Sequence, residues 1–385
     1  MTKSNKVGKV LKQYSMVIIL VVIAVLFQIL TGGLMFTNTN LTNIILQNSY
    51  VVILVCGMLP VILTGNVDLS VGSVLAFIGA IAAILQVKFK WGFLPTTLAS
   101  LAVGIAIGAW NGFWISVYDI PPFIVTLSGE LAFRGLTQVV LDGASIGPFQ
   151  DSFRAIASSY IADLFGANPF VLTMILAVIA CVIFVITQIS DRRNKIKNEI
   201  PVKPIFGTVA LCVVICAVIM WLSIEMASYR GYPTVLLIML VLCVLYSFIC
   251  KKTIFGRSLY AVGGNRKAAA LSGIKDRKTM FLAYTNNGLM ASVAALVYAA
   301  RLNAATPKAG VNFELDAIAA CYVGGASVSG GAGSIALALI GCFVIAILNN
   351  GMSMMGISAD WQQTVKGIVI LASVALDLVP KRKRK

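Results

Sequence analysis

Not one of the 385 residues is histidine, only 14 are acidic, and charged residues of both signs make up 11% of the chain. The missing imidazole removes histidine general bases, Ser-His-Asp triads and histidine metal sites. The missing charge removes a water-facing surface, since a soluble domain carries about 25% charged residues. Apolar residues stand where charge would be. They make up 59% of the sequence, in runs that approach the roughly 20 residues a bilayer crossing needs. Lipid is therefore the expected solvent, and the chain reads as an all-α polytopic membrane protein rather than a soluble enzyme. Eight cysteines lie within or beside apolar runs and form no CxxC pair. They read as small apolar residues in spans, so neither a disulfide framework nor a metal centre is expected.

The 30 basic residues exceed the acidic ones by 16. In a soluble protein that excess suggests nucleic acid; here its placement decides otherwise. Of the 30, 22 fall within 1–12, 191–204, 251–278 and 381–385, between or beyond apolar runs. Cytoplasmic loops of membrane proteins show this excess, so both termini and both internal clusters are expected in the cytoplasm. The tail KRKRK reads as a contact for anionic lipid headgroups, with no nucleic-acid partner.

Apolar runs lie near 16–30, 44–64, 69–86, 94–115, 122–140, 169–189, 206–223, 234–250, 279–300, 314–326, 334–349 and 363–379. The first reads as an uncleaved helix. About twelve transmembrane segments return the chain to its starting side, in agreement with two basic termini. Loops 141–168 and 224–233 then fall outside, the first acidic through Asp142, Asp151 and Asp163. Lys88 and Lys90 fall outside too, against the bias. Segment 166–233 reads as an inserted two-helix hairpin around a basic loop, because an even number of crossings leaves everything downstream uninverted.

Two polar, glycine-rich interruptions divide apolar runs: Gly65-Asn-Val-Asp-Leu-Ser-Val-Gly-Ser73 and Val323-Gly-Gly-Ala-Ser-Val-Ser-Gly-Gly-Ala-Gly-Ser334. In the first, Asp68 and Ser70 can serve the exposed N–H groups of a restarting helix. The reading stays open between a tight cytoplasmic turn and a break lining a pathway, because irregular backbone at membrane depth needs protein or water around it. The second contains no GxxxxGK[ST], so a phosphate cradle is not expected. A pair of half-helices fits it better. Breaks in both halves suggest a transporter and a weak internal repeat. Candidate pathway residues are Asn66, Asp68, Ser70, Asn111, Ser327 and Ser329, with Gln138, Asn286, Asn287, Asn349 and Asn350 as further amides. Such amides suit a hydroxyl-rich substrate, but they also hold helices together. Gly104, Gly108 and Gly112 form a small-residue row, read as packing inside the subunit in preference to dimerisation. Glu130 and Arg134, four apart, read as a paired bridge, with a proton relay as the alternative.

The segment from Thr253 to Ile274 carries an ordered plan. Asn265 can cap a short helix, 267–271 are good helix formers and Gly273 can end it. If the backbone at Gly264 needs φ > 0, a β-branched residue there disturbs the start of that helix. A plain basic loop held only by anionic lipid would not need this order.

At these residues the chain resembles the permease subunits of bacterial ATP-binding-cassette importers of the ribose/xylose/galactose type. The blocks that carry the likeness are the first interruption, Phe255-Gly-Arg…Ala-Val-Gly-Gly-Asn…Ala-Ala-Ala-Leu-Ser-Gly-Ile274, and Glu314-Leu-Asp-Ala-Ile-Ala-Ala with the second interruption. The resemblance implies a single transmembrane permease domain over 1–385 with a core of about ten spans. The hairpin 166–233 is extra, as in the longer xylose or multiple-monosaccharide permeases. It also implies that 251–278 is a cytoplasmic coupling loop that docks the ATPase through Gly256, Arg257, Gly263, Gly264, Asn265, Ala268, Ala269, Leu271, Ser272 and Gly273. A homodimer would enclose the pathway, an extracytoplasmic sugar-binding protein would deliver substrate, and a cytoplasmic ATP-binding subunit would use the ATP. The permease itself would bind no cofactor and catalyse nothing. Permeases for nucleosides or branched-chain amino acids are alternatives within the class. An ion-coupled secondary transporter lies outside it and leaves 253–274 unexplained, and a membrane-embedded enzyme lacks any nucleophile or metal constellation.

Overall fold

The computed structural model describes residues 3–161, 171–199, 202 and 205–382. Among them all regular structure is helical: α1 (Lys3–Leu30), α2 (Asn38–Leu63), α3 (Val71–Ala83), α4 (Phe93–Val117), α5 (Pro122–Leu141), α6 (Asp151–Ser158), α7 (Val171–Lys197), α8 (Ile205–Ala227), α9 (Thr234–Lys252), α10 (Ile254–Gly264), α11 (Arg266–Leu271), α12 (Asp276–Leu302), α13 (Phe313–Val323), α14 (Ile335–Met354) and α15 (Ala359–Arg382). Each of the twelve apolar runs coincides with a helix; α6, α10 and α11 are additional. Nine helices among the described residues are long and apolar enough to cross a membrane: α2, α3 with its π-helical extension to Lys88, α4, α5, α7, α8, α9, α12 and α14. Three apolar runs fall outside that set. The run at 314–326 becomes the 11-residue α13, which begins after Asn312 at φ 64° and stops before Gly325 at φ 87°.

The core is built around α12, which packs on α2, α3 and α4. Its sequence explains this. Gly288, Ala291, Ala294, Ala295, Ala299 and Ala300 leave its surface low, so neighbouring backbones approach closely. The glycine row of α4 uses that space. A Cβ added at Gly104 would lie 2.6 Å from Gly288 O, one at Gly108 2.5 Å from Tyr284 O, and one at Gly112 2.9 Å from Phe281 O. The row is therefore packing inside the subunit.

The two ends of the bundle differ chemically. At one end, the α4–α5 turn at Asp119 is ion-paired to Arg266 and Arg277, and the basic segment around α10 and α11 lies there. At the other, Ile146 bridges Ala305, Tyr160 bridges Pro233, and Gln150 Nε2 donates to Trp91 O at 3.2 Å. That end holds residues 142–161 of the acidic loop, with Lys88 and Lys90 beside it. α2 runs between the ends: Gln47 O accepts from Arg301 Nη1 near its start, and Leu63 O accepts from Gly331 N at its finish.

α7 packs mainly on α8, which leans on α2. The chain flanking the pair is pinned together, since Thr234 N and Thr234 Oγ1 both donate to Ser159 O at 2.9 Å. Residues 166–170, 200, 201, 203 and 204 of the expected hairpin lie outside the described residues, as does most of the KRKRK tail. All eight cysteines are free thiols.

The expected Glu130–Arg134 bridge does not form. The Arg134 guanidinium instead donates to the carbonyls of Ala309 and Gly310, at 3.1 Å to the latter. Segment 303–312 is not helical, so its carbonyls lie outside a helix ladder, and those of Ala309 and Gly310 take the guanidinium in place of the carboxylate one turn away.

Candidate functional site

Three segments far apart in sequence meet at the end of the bundle that carries Asp119. The first is the break after α2. The chain leaves the helix through Thr64 and turns at Gly65 (φ 83°). The second is the break between α13 and α14, which turns at Gly330 (φ 80°) and Gly331 (φ 70°). The third is the end of α10. Gly331 N donates to Leu63 O at 2.9 Å, joining the two breaks backbone to backbone. Gly263 sits on that joint, where an added Cβ would lie 1.8 Å from Leu63 O and 2.6 Å from Gly331 N. Tyr260 Oη donates to Gly333 O at 2.9 Å from the same helix. The glycines are there because main chains must touch.

The sequence-predicted docking residues fall on α10 and α11. Thr253 caps α10, its hydroxyl accepting from Gly256 N at 3.1 Å. Gly256 lets α10 fold back on α9, since a Cβ there would lie 2.3 Å from Ile249 O and Cys250 O. Arg257 reaches back to Lys252 O at 3.3 Å. Asn265 Oδ1 accepts from Ala268 N at 3.0 Å, which is the expected cap. At the other end Gly273 (φ 83°) completes a Schellman stop, with Ile274 N on Ala269 O and Gly273 N on Ala270 O, both 3.0 Å. Both ends of a six-residue helix are thus satisfied, and it stands as a small rigid knob. Ala269 is buried beneath it, whereas Leu271 is 90% exposed and Ala268 and Ser272 are exposed.

One expectation fails here. Gly264 is helical with negative φ, and an added Cβ would meet nothing within 4 Å. The crowded glycine is its neighbour Gly263. Arg266 is not left to a lipid headgroup: it is paired to Asp119 and Asp276, both at 2.7 Å. Asp119 lies outside the membrane-spanning segments, and the Arg266 hydrogen bond holds its carboxyl below the usual carboxylate range, with Arg277 adding to the effect.

The candidate pathway residues divide into two groups. Asp68, Ser70 and Asn111 come together in one buried network with Asn287. Asp68 Oδ1 accepts from Ser70 N at 2.9 Å and from Ser70 Oγ at 2.6 Å. Asp68 Oδ2 accepts from Asn287 Nδ2 at 2.9 Å, and Ser70 Oγ accepts from Asn111 Nδ2 at 3.0 Å. Ser70 therefore restarts the helix without capping it; Asp68 holds the turn. The network ties α3 to α4 and α12. Asn66, Ser327 and Ser329 are not part of it. Asn66 bonds Thr64 Oγ1, and the two serines bond each other at 3.0 Å, at the glycine joint. Other amides also join helices: Asn350 pairs reciprocally with Asn40, and Tyr246 donates to Asn286. Of these network residues, Asn111 also borders a cavity of about 320 Å³ between α4 and α5, lined by Trp110, Trp114, Ser128, Gly129 and Phe133. Asp119 and Gly331 were missed in sequence because their roles come from partners more than 100 residues away.

Comparison with known proteins gives the family. The family model "Branched-chain amino acid transport system / permease component" matches residues 40–374. The xylose transport system permease protein of Haemophilus influenzae is 39% identical over 375 residues, covering 97% of this chain and 98% of that protein. Its counterpart in Escherichia coli K12 is 37% identical, covering 97% and 93%. The ribose import permease protein of the same strain is 34% identical, covering 95% and 94%. No solved structure matches the chain. These three relatives are named as transport permeases, and with the family match over residues 40–374 they show that the chain belongs to this family of permease components of ATP-binding-cassette importers.

Proposed function

We infer that the chain is the membrane subunit of an importer that carries a monosaccharide of the xylose or ribose class across the bacterial cytoplasmic membrane. The observation that carries the reading is the nearly end-to-end match to a xylose permease at 39% identity. The family is named for branched-chain amino acids, but the relatives above are named for pentoses. A cytoplasmic ATP-binding subunit would dock on the α10–α11 knob and use the ATP. A sugar-binding protein would deliver substrate at the opposite end, and a second copy of the chain would complete the pathway. The knob suits docking because a capped, exposed helix bears on both breaks through Gly263, so a push on it reaches the two glycine turns directly.

The test is reconstitution with the ATPase and binding protein encoded alongside it. ATP hydrolysis is expected to rise with xylose or ribose and not with leucine; stimulation by leucine alone would overturn the sugar assignment. Sidedness is checked in intact cells. Single reporter cysteines at exposed positions 195 and 270 are expected to resist an impermeant thiol reagent, and one at 150 to react. Labelling of 270 from outside would overturn both the topology and the docking site.

The α7–α8 pair is an insertion in this reading. Because Ser159 and Thr234 already touch, joining 160 to 233 through a short polar linker removes two crossings together. The shortened protein is expected to keep position 270 protected, as read by the same labelling. Exposure of 270 would show that the segment does not cross twice.

A further inference from the structure

The docking reading uses α11 as a knob but leaves the charge in the α4–α5 turn without a task. We propose that Asp119 is a positioning residue that links α11 to the α4–α5 pair, so that movement of the docked knob reshapes the cavity between those helices. The proposal rests on the reading of α10–α11 as the ATPase docking element.

The geometry is a fork. Asp119 Oδ1 accepts from Arg266 Nη2 at 2.7 Å and Asp119 Oδ2 from Arg277 Nη2 at 3.3 Å. Arg266 Nε donates at the same time to Asp276 Oδ2 at 2.7 Å. Arg266 is the first residue of α11, directly after its cap, and Asp276 and Arg277 open α12. One guanidinium therefore spans two carboxylates, one on the α4–α5 turn and one on the central helix. Arg266 cannot move with α11 without drawing on both.

What lies behind the turn gives the link a purpose. Ile120, the next residue, lines the cavity of about 320 Å³ together with Asn111, Trp110, Trp114 and Phe133. Asn111 in turn holds Ser70 in the buried network. The Gly263 contact reaches the two breaks, and the Asp119 fork reaches the helices beside them. Exposed ion pairs add little to stability, and the Arg266 and Asp119 side chains are 41% and 46% exposed. Loss of the fork is therefore expected to spare folding and to alter how motion passes between the two parts.

The backbone at Asp119 has φ 52°, which asparagine tolerates, so Asp119→Asn removes the charge without straining the turn. In the complete importer, Asp119→Asn is expected to keep membrane insertion, ATPase co-purification and ATP hydrolysis. Sugar taken up per ATP hydrolysed is expected to fall by about fivefold or more, the lower range of a coupling effect. Added to Arg266→Gln/Arg277→Gln, the same change is expected to cause no further fall, because its partners are already gone. An unchanged ratio in Asp119→Asn, loss of the ATPase from that variant, or a fully additive effect would each overturn the link. Labelling of position 270 from outside intact cells would instead remove the docking reading, and this proposal with it.

Discussion

Gly263→Ala is expected to abolish ATP-driven uptake, while Gly264→Ala one residue on is expected to leave it intact. The single added methyl at 263 would stand 1.8 Å from Leu63 O and 2.6 Å from Gly331 N. Both obstacles are main chain, so no rotamer change relieves the clash. The joint between α10 and the two breaks must open, and with it the bond from Gly331 N to Leu63 O. Overpacking of this kind costs about 1–3 kcal/mol in a side-chain core, and a backbone wall puts this site at the upper end. At 264 the added methyl meets nothing within 4 Å, and alanine favours the helix over glycine by about 1 kcal/mol. The measurement is uptake at matched expression in membranes. Equal activity in the two variants, or the reverse order, would show that the joint does not carry the transport motion.

The second large effect lies at Asp68. Asp68→Ala strands Ser70 N, Ser70 Oγ and Asn287 Nδ2, all of which now donate to the carboxylate. Hydrogen bonds to a charged group are worth about 1.5–3 kcal/mol each, and buried donors left without a partner cost more than the bond alone. The variant is expected to lose most of its folded population in the membrane. Asp68→Asn is expected to be much milder, for a reason visible in the network. Asn287 Oδ1 is buried without a partner. Turning the Asn287 amide over would present that oxygen to the NH2 group introduced at position 68, while the side-chain oxygen retained there keeps Ser70. Thermal unfolding in detergent and yield of monodisperse protein distinguish the two. A mild alanine variant would mean that the network is incidental to the fold.

How much of this was legible depended on the distance between partners. The apolar runs found every long helix because lipid and protein both demand the same twenty-residue scale. The α11 knob was legible because its cap and stop are local: Asn265 bonds a group three residues on, and Gly273 turns the chain immediately after the helix. Gly263 and Gly264 were not separable in sequence. Their difference is helix phase relative to Leu63, some 200 residues away. Glu130 and Arg134 have the right spacing for a pair, but spacing carries no news of the carbonyls at 309 and 310. The same holds for Asp68, Ser70 and Asn111. Their polarity at membrane depth marked them as important, and only the fold shows that three of the six candidates are occupied with one another.

The pinned feet of the α7–α8 pair have a practical consequence. With Ser159 and Thr234 held in hydrogen-bond contact, the segment between them meets the rest of the bundle chiefly where α8 leans on α2. The connection between α7 and α8, remote in sequence from those feet, is therefore a natural point to graft a rigid soluble domain as an imaging marker. Such a fusion would add mass and asymmetry to a small, nearly all-lipid-embedded particle without touching the glycine joint or the Asp119 fork.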